Sequence, residues 1–195
     1  MHSAIFLDRD GVIIENRLDY VLHWDDVEIY PQALQALSKI YACPYKIVIV
    51  TNQSAVGRGL ITIEEAWEIN HRLISVIEKA GGRIDGIFMC PHTPEDGCDC
   101  RKPKPGLLLR AASSLDLDLS QSIIIGDTLT DLAAGDAAGL QSTILVKTGL
   151  GASQLELPNA KNLRPFKVHA TLAEALASFT NGYCLSVLSE KPTDY

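Results

Sequence analysis

The sequence lacks several features that would each point to a particular partner. It has no apolar run long enough to cross a bilayer, and the apolar stretch near Met1 is too short for the core of a secretion signal. Positive charge is scarce, with 17 lysines and arginines against 24 aspartates and glutamates. Since binding along a nucleic-acid backbone needs a basic face, nucleic acid is not an expected partner. We also expect no membrane partner, a cytoplasmic location and a monomeric state.

Cysteine is sparse, and its five copies do not form a complete disulfide framework because their number is odd. Three of them share one short segment with a histidine, as Cys90-x-His92-x₅-Cys98-x-Cys100. Three thiolates and one imidazole make a tetrahedral zinc set with no open position, which predicts a structural Zn²⁺. The segment is too rich in proline and other turn residues to fold by core burial, so zinc would order it. The alternative is a coincidental cluster of buried thiols.

The 195 residues are enough for one well-packed domain. We assign residues 1–180 to that domain and residues 181–195 to a loosely held C-terminal tail. Short apolar runs alternate with helical patterns, which predicts an α/β fold, a Rossmann-like parallel sheet with helices on both faces. The predicted strands are Ala4–Leu7, Lys46–Val50, Ile84–Met89, Ser122–Ile125 and Thr143–Val146. The predicted helices are Pro31–Tyr41, Thr62–Ala80, Pro105–Leu115, Leu129–Ala138 and Thr171–Phe179, and residues 149–164 are predicted to be irregular.

Polar side chains follow the predicted strands at the sheet edge where open parallel sheets bind ligands. Asp8 and Asp10 come after the first strand, Thr51 after the second and Asp127 after the fourth. A carboxylate can attack a phosphorus atom, so Asp8 is the candidate nucleophile, with Asp10 as proton donor to the leaving oxygen. Asp8 and Asp127 offer the oxygen ligands that Mg²⁺ prefers.

Two further residues complete a site for phosphoryl transfer. The Thr51 hydroxyl can bind a phosphate oxygen, and Lys102 can offset negative charge between the nucleophile and the phosphoryl group. Each of these residues taken alone has a commonplace explanation, a turn, a helix cap or a solvated charge. Their combination, each after a predicted strand and in this order, predicts a phosphohydrolase.

Four segments resemble, in order, the four motifs of the haloacid dehalogenase superfamily. They are Phe6–Val12, Val50–Gln53, Lys102–Pro103 and Gly126–Asp131. The segments Thr51–Gly59 and Cys90–Pro103 resemble the branch that contains histidinol-phosphate and heptose-bisphosphate phosphatases. Relatives often insert a cap domain between these motifs, but the intervals here are too short for one. We therefore expect a capless fold with an open site and a zinc-bound loop beside it.

The resemblance also implies roles for individual residues. It implies that Asp8, Asp10 and Asp127 together hold the Mg²⁺, with Thr51 and Lys102 stabilising the phosphoryl group. Arg58 is either a contact to a second phosphate or a solvated loop arginine. The residues expected to contact substrate are Asn16, Tyr20, Asn52, Gln53, Ser54, Arg58 and Arg101. Thr128 stands where some relatives carry lysine, and the loop between His92 and Cys98 is short, so both bear on substrate preference.

The expected activity is hydrolysis of a small phosphorylated sugar through an aspartyl-phosphate intermediate. The 7-phosphate of a heptose 1,7-bisphosphate is the expected site of attack, and histidinol phosphate is the alternative substrate. Two alternatives come from other classes of protein. One is a receiver-like switch that accepts a phosphoryl group on aspartate, and the other is an inactive binding module braced by zinc.

Overall fold

The computed structural model describes residues 1–187 and contains a six-stranded sheet. The strands are β1 (Ala4–Leu7), β2 (Lys46–Asn52), β3 (Gly86–Cys90), β4 (Ile123–Gly126), β5 (Ser142–Val146) and β6 (Lys167–His169). Their order is β3-β2-β1-β4-β5-β6, and every neighbouring pair is parallel. Strand order therefore reverses between β1 and β4, and a crevice for ligands forms at such a point.

Seven helices surround this sheet within the described residues. They are α1 (Pro31–Lys39), α2 (Ser54–Gly57), α3 (Ile63–Lys79), α4 (Gly106–Leu115), α5 (Leu129–Ala137), α6 (Gly151–Gln154) and α7 (Leu172–Val187). Alternate side chains of β1 point to opposite faces, so Ile5 and Leu7 pack with α1, α3 and α7. Phe6 packs on the other face with α4 and α5. The predicted parallel sheet with helices on both faces is confirmed.

The longest loop near the site, residues 11–30, is fixed from below by buried side chains. Val12, Ile13 and Ile14 are fully buried, and Ile14 forms an antiparallel bridge with Ile29. Within the described part of the chain, no interval between strands folds into a separate cap. The mouth of the crevice is therefore bordered by loops alone, in agreement with the capless fold.

The predicted elements have boundaries within two residues of the observed ones except at the end of the chain, and the short helix α2 was not predicted. Thr62 caps α3 as predicted, since its side chain accepts from the Glu65 amide and the Glu65 carboxylate accepts from the Thr62 amide. The strand β6 was not predicted because Lys167–His169 is short and mostly exposed, without an apolar run. The segment predicted as irregular contains α6 and a 3₁₀ turn, Pro158–Asn162.

The final helix is longer than its sequence pattern indicates. It was predicted to end at Phe179, whereas α7 continues to Val187. Its first half packs Leu172 and Leu176 into the core, and tertiary packing of this kind outweighs a weak local pattern. Part of the predicted tail 181–195 is thus helical, and residues 188–195 lie outside the described residues. Among residues 1–187, no helix combines the length and the hydrophobicity needed to cross a membrane.

Candidate active site

The floor of the crevice is a group of buried acidic side chains. Asp8 follows β1 directly, Asp127 follows β4 directly, and Asp131 lies in the first turn of α5. Carboxylate oxygens of these three residues lie within 4.8 Å of one another. Lys102 Nζ reaches into this group, 3.0 Å from Asp8 Oδ1 and 2.5 Å from Asp131 Oδ1. It also donates to the Val50 carbonyl at 2.8 Å, so three acceptors fix the buried ammonium.

Three carboxylates against one ammonium leave this floor short of positive charge. Burial raises the pKa of Asp8 well above its ordinary value, and the negative charge of Asp131 adds to the effect, while Lys102 opposes it. Burial and the same Asp131 charge raise the pKa of Asp127 to about 7. Burial lowers the pKa of Lys102, but the Asp131 and Asp8 carboxylates outweigh that effect and raise it. A cation bound between Asp8 and Asp127 would relieve the repulsion.

Asp127 has one oxygen held by the protein and one left over. Its Oδ2 accepts from the Leu150 amide at 2.9 Å, whereas Oδ1 is buried without a hydrogen-bond partner among the described residues. Buried polar atoms are nearly always paired, so this oxygen fits a metal ligand. Gly149 permits the contact because it has φ +57° and a Cβ there would lie 2.3 Å from Asp127 Oδ2. Sequence reasoning missed this loop after β5, for which the glycine was the available signal.

The Asp10 carboxylate lies apart from that group and has its own hydrogen-bond partners. Arg9 binds both of its oxygens, through Nε at 3.0 Å and Nη2 at 3.1 Å. Gln53 Nε2 donates to Asp10 Oδ2 at 2.8 Å and to the Thr51 hydroxyl oxygen at 2.8 Å. The carboxylate is thus oriented by the protein and is not gathered with Asp8 and Asp127. Its predicted role as a magnesium ligand stays a prediction.

The four predicted zinc ligands converge at the end of β3. Their closest ligand-atom separations include 3.2 Å for Cys100 to Cys90, 3.3 Å for His92 Nδ1 to Cys100, and 3.6 Å for Cys90 to Cys98. Tetrahedral zinc with bonds of about 2.0 to 2.3 Å places its ligands about 3.4 to 3.8 Å apart. Two of these separations are slightly shorter than that spacing, and all four ligand atoms lie within 4.8 Å of one another, so the cluster has the composition and the compactness of a zinc site. Burial raises the pKa of the Cys90 thiol to about 12, and metal binding is the ordinary means of deprotonating such a thiol.

The cysteine cluster is joined directly to the floor of the crevice. Cys100 is followed by Arg101 and Lys102, and Arg101 Nη1 donates back to the His92 carbonyl at 3.1 Å. Asn52 exchanges two hydrogen bonds of 3.1 Å with the main chain of Lys102. The Lys102–Pro103 peptide bond is cis. The loop and the end of β2 together therefore set the position of the Lys102 side chain.

A cavity of about 360 Å³ opens above the floor. All seven residues predicted to contact substrate line it: Asn16, Tyr20, Asn52, Gln53, Ser54, Arg58 and Arg101. Two of these side chains already make hydrogen bonds within the protein, Asn52 with the Lys102 carbonyl and Gln53 with the Asp10 carboxylate, so fewer of their polar atoms remain for substrate. Arg17, Thr128 and Thr130 also line the cavity. Arg17 lies between the predicted contacts Asn16 and Tyr20 but was not singled out, and Thr130 was not predicted. Tyr20 has φ +65°, a left-handed conformation that is rare for an aromatic residue.

The cavity combines a buried aspartate after β1, a second aspartate two residues on, and a lysine and a third aspartate from later loops. On this sheet, that arrangement is typical of the phosphohydrolases of the haloacid dehalogenase type. The comparisons with known proteins agree. A family model described as HAD-hydrolase-like matches residues 99–175.

The relatives narrow the class further. The D-glycero-β-D-manno-heptose-1,7-bisphosphate 7-phosphatase of Pseudomonas aeruginosa is 36% identical over 89% of this chain and 97% of its own. The Bordetella bronchiseptica enzyme of the same name is 39% identical over 78% of this chain and 85% of its own. A crystal structure of a B. bronchiseptica D,D-heptose 1,7-bisphosphate phosphatase, complexed with magnesium and phosphate, superimposes with a TM-score of 0.86 at 35% identity, covering 92% of this chain and 99% of that one.

The chain belongs to the haloacid dehalogenase-like hydrolases and, within them, to the family of these heptose-bisphosphate phosphatases. It is therefore a phosphoric monoester hydrolase. The recognition made from the sequence motifs is confirmed, and the switch and the inactive module are not supported.

Proposed function

We propose that this enzyme hydrolyses the 7-phosphate of D-glycero-β-D-manno-heptose 1,7-bisphosphate. The observation that carries the proposal is the ion pair of 3.0 Å between Asp8 and Lys102 on the floor of the cavity. Arg17, Arg58 and Arg101 line the same cavity and form what we call its rim. The floor suits the phosphoryl group that reacts, and the rim suits a second phosphate. The names of the relatives at 36–39% identity support the same substrate.

The reaction would proceed in two displacements at phosphorus. A carboxylate oxygen of Asp8 attacks the 7-phosphorus, the bond to the sugar oxygen breaks, and Asp10 gives its proton to that oxygen. A water molecule then attacks the aspartyl phosphate, returns a proton to Asp10 and releases inorganic phosphate with the Asp8 carboxylate restored. Lys102 stabilises the equatorial oxygens, and the Thr51 hydroxyl holds one of them.

Two metals complete the proposal. Asp8 and Asp127 would hold Mg²⁺, with Asp10 as the third predicted ligand, and the unpartnered Asp127 Oδ1 supports this assignment. Magnesium supplies charge neutralisation for the transferring phosphoryl group. Zn²⁺ would be bound by Cys90, His92, Cys98 and Cys100, with a structural role because four protein ligands leave no open position.

The second phosphate distinguishes this substrate from histidinol phosphate, which has only one. Arg17, Arg58 and Arg101 all line the cavity, beyond the lysine that the reacting phosphate needs. One guanidinium group can bind two oxygens of the same phosphate. Three arginines on the rim are therefore more than a monophosphate requires.

A panel of phosphate esters assayed with Mg²⁺ tests the substrate. We expect kcat/KM for the β-anomer of the heptose bisphosphate to exceed that for histidinol phosphate by at least about 100-fold, since a site built to bind a polar group can discriminate against a substrate that lacks it by up to about 10⁴- to 10⁵-fold. Both anomers of the bisphosphate belong in the panel. A preference for histidinol phosphate over every sugar bisphosphate would contradict the proposal.

A further inference from the structure

Arg9 is a buried arginine that serves the proposed proton donor rather than the substrate. It is only 1% exposed and does not line the cavity. Two of its nitrogens, Nε and Nη2, bind the two oxygens of Asp10. The third, Nη1, donates to Asn70 Oδ1 at 2.8 Å. The guanidinium thus joins the Asp10 carboxylate to a side chain on α3.

Asn70 occupies a position where an apolar residue would be expected. It is fully buried on the face of α3 that also buries Ile69, Leu73 and Ile77. Burying an amide costs free energy unless it is hydrogen-bonded. The Asn70 Nδ2 group contacts the sulfur of Met89 at 3.5 Å, which is a weak acceptor. The strong contact of this side chain is therefore the one that its carbonyl makes with Arg9.

The hydrogen bonds of Asp10 are divided unequally between its two oxygens. Oδ2 accepts from Arg9 Nε and from Gln53 Nε2, and the Thr51 hydroxyl lies 3.5 Å from it. Oδ1 accepts only from Arg9 Nη2 among the described residues. Oδ1 is thus the oxygen with capacity left to carry a proton. The terminal torsion of an aspartate is soft, so the direction of Oδ1 depends on these partners.

We infer that Asn70 is a positioning residue for proton transfer, acting through Arg9. Arg9 and Asp10 are adjacent in sequence and could turn together as a pair, because each side chain has soft torsions. Asn70 attaches the pair to a different element, α3, and so fixes the direction of Asp10 Oδ1 toward the leaving oxygen. This inference rests on the proposed function, since it takes Asp10 as the proton donor.

A mispositioned proton donor affects poor leaving groups more than good ones. Without a proton donor, the sugar oxygen would have to leave as a strongly basic alkoxide, so it needs the proton during bond cleavage. The much less basic p-nitrophenolate leaves without one. The test is therefore the single-turnover rate of phosphoryl transfer for Asn70→Leu, with the heptose bisphosphate and with p-nitrophenyl phosphate. We expect a loss of about 10- to 100-fold for the sugar substrate and less than about threefold for the aryl substrate.

Two controls separate positioning from a general loss of structure. Asn70→Asp keeps an acceptor oxygen for Arg9 and should restore the rate with the sugar substrate to within about threefold of wild type. Ser122→Ala removes a fully buried hydroxyl that bonds to the Ala4 amide and the Asp118 carbonyl, at the opposite end of β1. It should lower thermal stability and leave the ratio of the two rates unchanged.

Three results would overturn the inference: equal losses for both substrates in Asn70→Leu, no loss for either, or no rescue by Asn70→Asp. The proposed function fails in a different way. If the wild-type enzyme turns over p-nitrophenyl phosphate but not the heptose bisphosphate, the substrate assignment is wrong, and the leaving-group comparison can still be made with an alkyl phosphate that it accepts.

Discussion

The floor and the rim of the cavity are built on different principles. On the floor, Asp8, Lys102 and Asp127 are buried. Lys102 Nζ donates to the Val50 carbonyl, and Asp127 Oδ2 accepts from the Leu150 amide. On the rim, Arg17 is about half exposed, and its Nη2 lies 3.9 Å from Asp26 Oδ1, the length of a weak ion pair. Under the proposed function, the floor would carry the chemistry, which needs fixed groups, and the rim would recognise the rest of the substrate.

The difference predicts that a change on the floor abolishes activity without unfolding the protein. Asp8→Asn removes the attacking carboxylate, so we expect kcat to fall by at least about 10⁴-fold. Thermal stability without Mg²⁺ should be equal or higher, because burial and Asp131 disfavour the charge of Asp8. Steady-state kinetics and a melting curve check both statements. Turnover within about tenfold of wild type would remove Asp8 from the role of nucleophile.

The cysteine cluster resembles the rim because it lies in a loop, and it is linked to the floor because that loop sets the position of Lys102. Cys98→Ser removes one ligand, and we expect loss of most of the bound zinc together with a fall of about 10- to 100-fold in kcat. Elemental analysis and kinetics measure the two effects. Cys43→Ser is the matched control, because Cys43 is a cysteine outside the cluster and its variant should keep about one zinc per chain. Full activity of Cys98→Ser without zinc would contradict the link to Lys102.

A smaller loss of function is expected at Gly149, which lies in the loop after β5 that contacts Asp127. Gly149→Ala would place a Cβ 2.3 Å from Asp127 Oδ2, so the carboxylate has to move. We expect the apparent Kd for Mg²⁺, measured by calorimetry, to rise by about tenfold or more. Gly139→Ala is the matched control, since Gly139 also has a positive φ but no atom near the added Cβ. Equal Mg²⁺ affinities in the two variants would show that strain alone explains any loss.

The position of the two floor aspartates Asp8 and Asp127 could be predicted from the sequence because each directly follows a strand. Buried strands have recognisable apolar runs, and parallel strands bring their carboxyl ends to one edge, so the sequence predicts that Asp8, Thr51 and Asp127 lie close together. The zinc ligands were found by spacing alone. The contacts that the sequence did not predict are tertiary contacts between distant segments. The hydrogen bond that the Leu150 amide donates to Asp127, and the one that Arg9 donates to Asn70, join residues with no shared pattern.

The rim was predicted less completely, because exposed loops are not specified by periodicity. Asn52 and Gln53 were expected to contact substrate, and the structure shows that their side chains hold Lys102 and Asp10. Arg17 lies between the predicted contacts Asn16 and Tyr20 but was not singled out, although it lines the same cavity as Arg58. The contacts of a loop residue depend on the conformation of the loop, which sequence periodicity does not predict.

Arg17 allows the finest test of the comparison, and the expected effect is the smallest. If the rim recognises the second phosphate, Arg17→Gln should raise KM for the heptose bisphosphate by about three- to tenfold while leaving kcat unchanged, since an exposed ion pair contributes only about 0.2 to 1 kcal/mol and a phosphate contact somewhat more. A monophosphate ester should show no change, because it leaves the rim empty. Arg164→Gln is the matched control: Arg164 is also an exposed arginine, paired with Asp136 at 2.8 Å, and it does not line the cavity. A fall in kcat for Arg17→Gln with both kinds of ester would mean that the rim takes part in the chemistry, and the division between floor and rim would then be wrong.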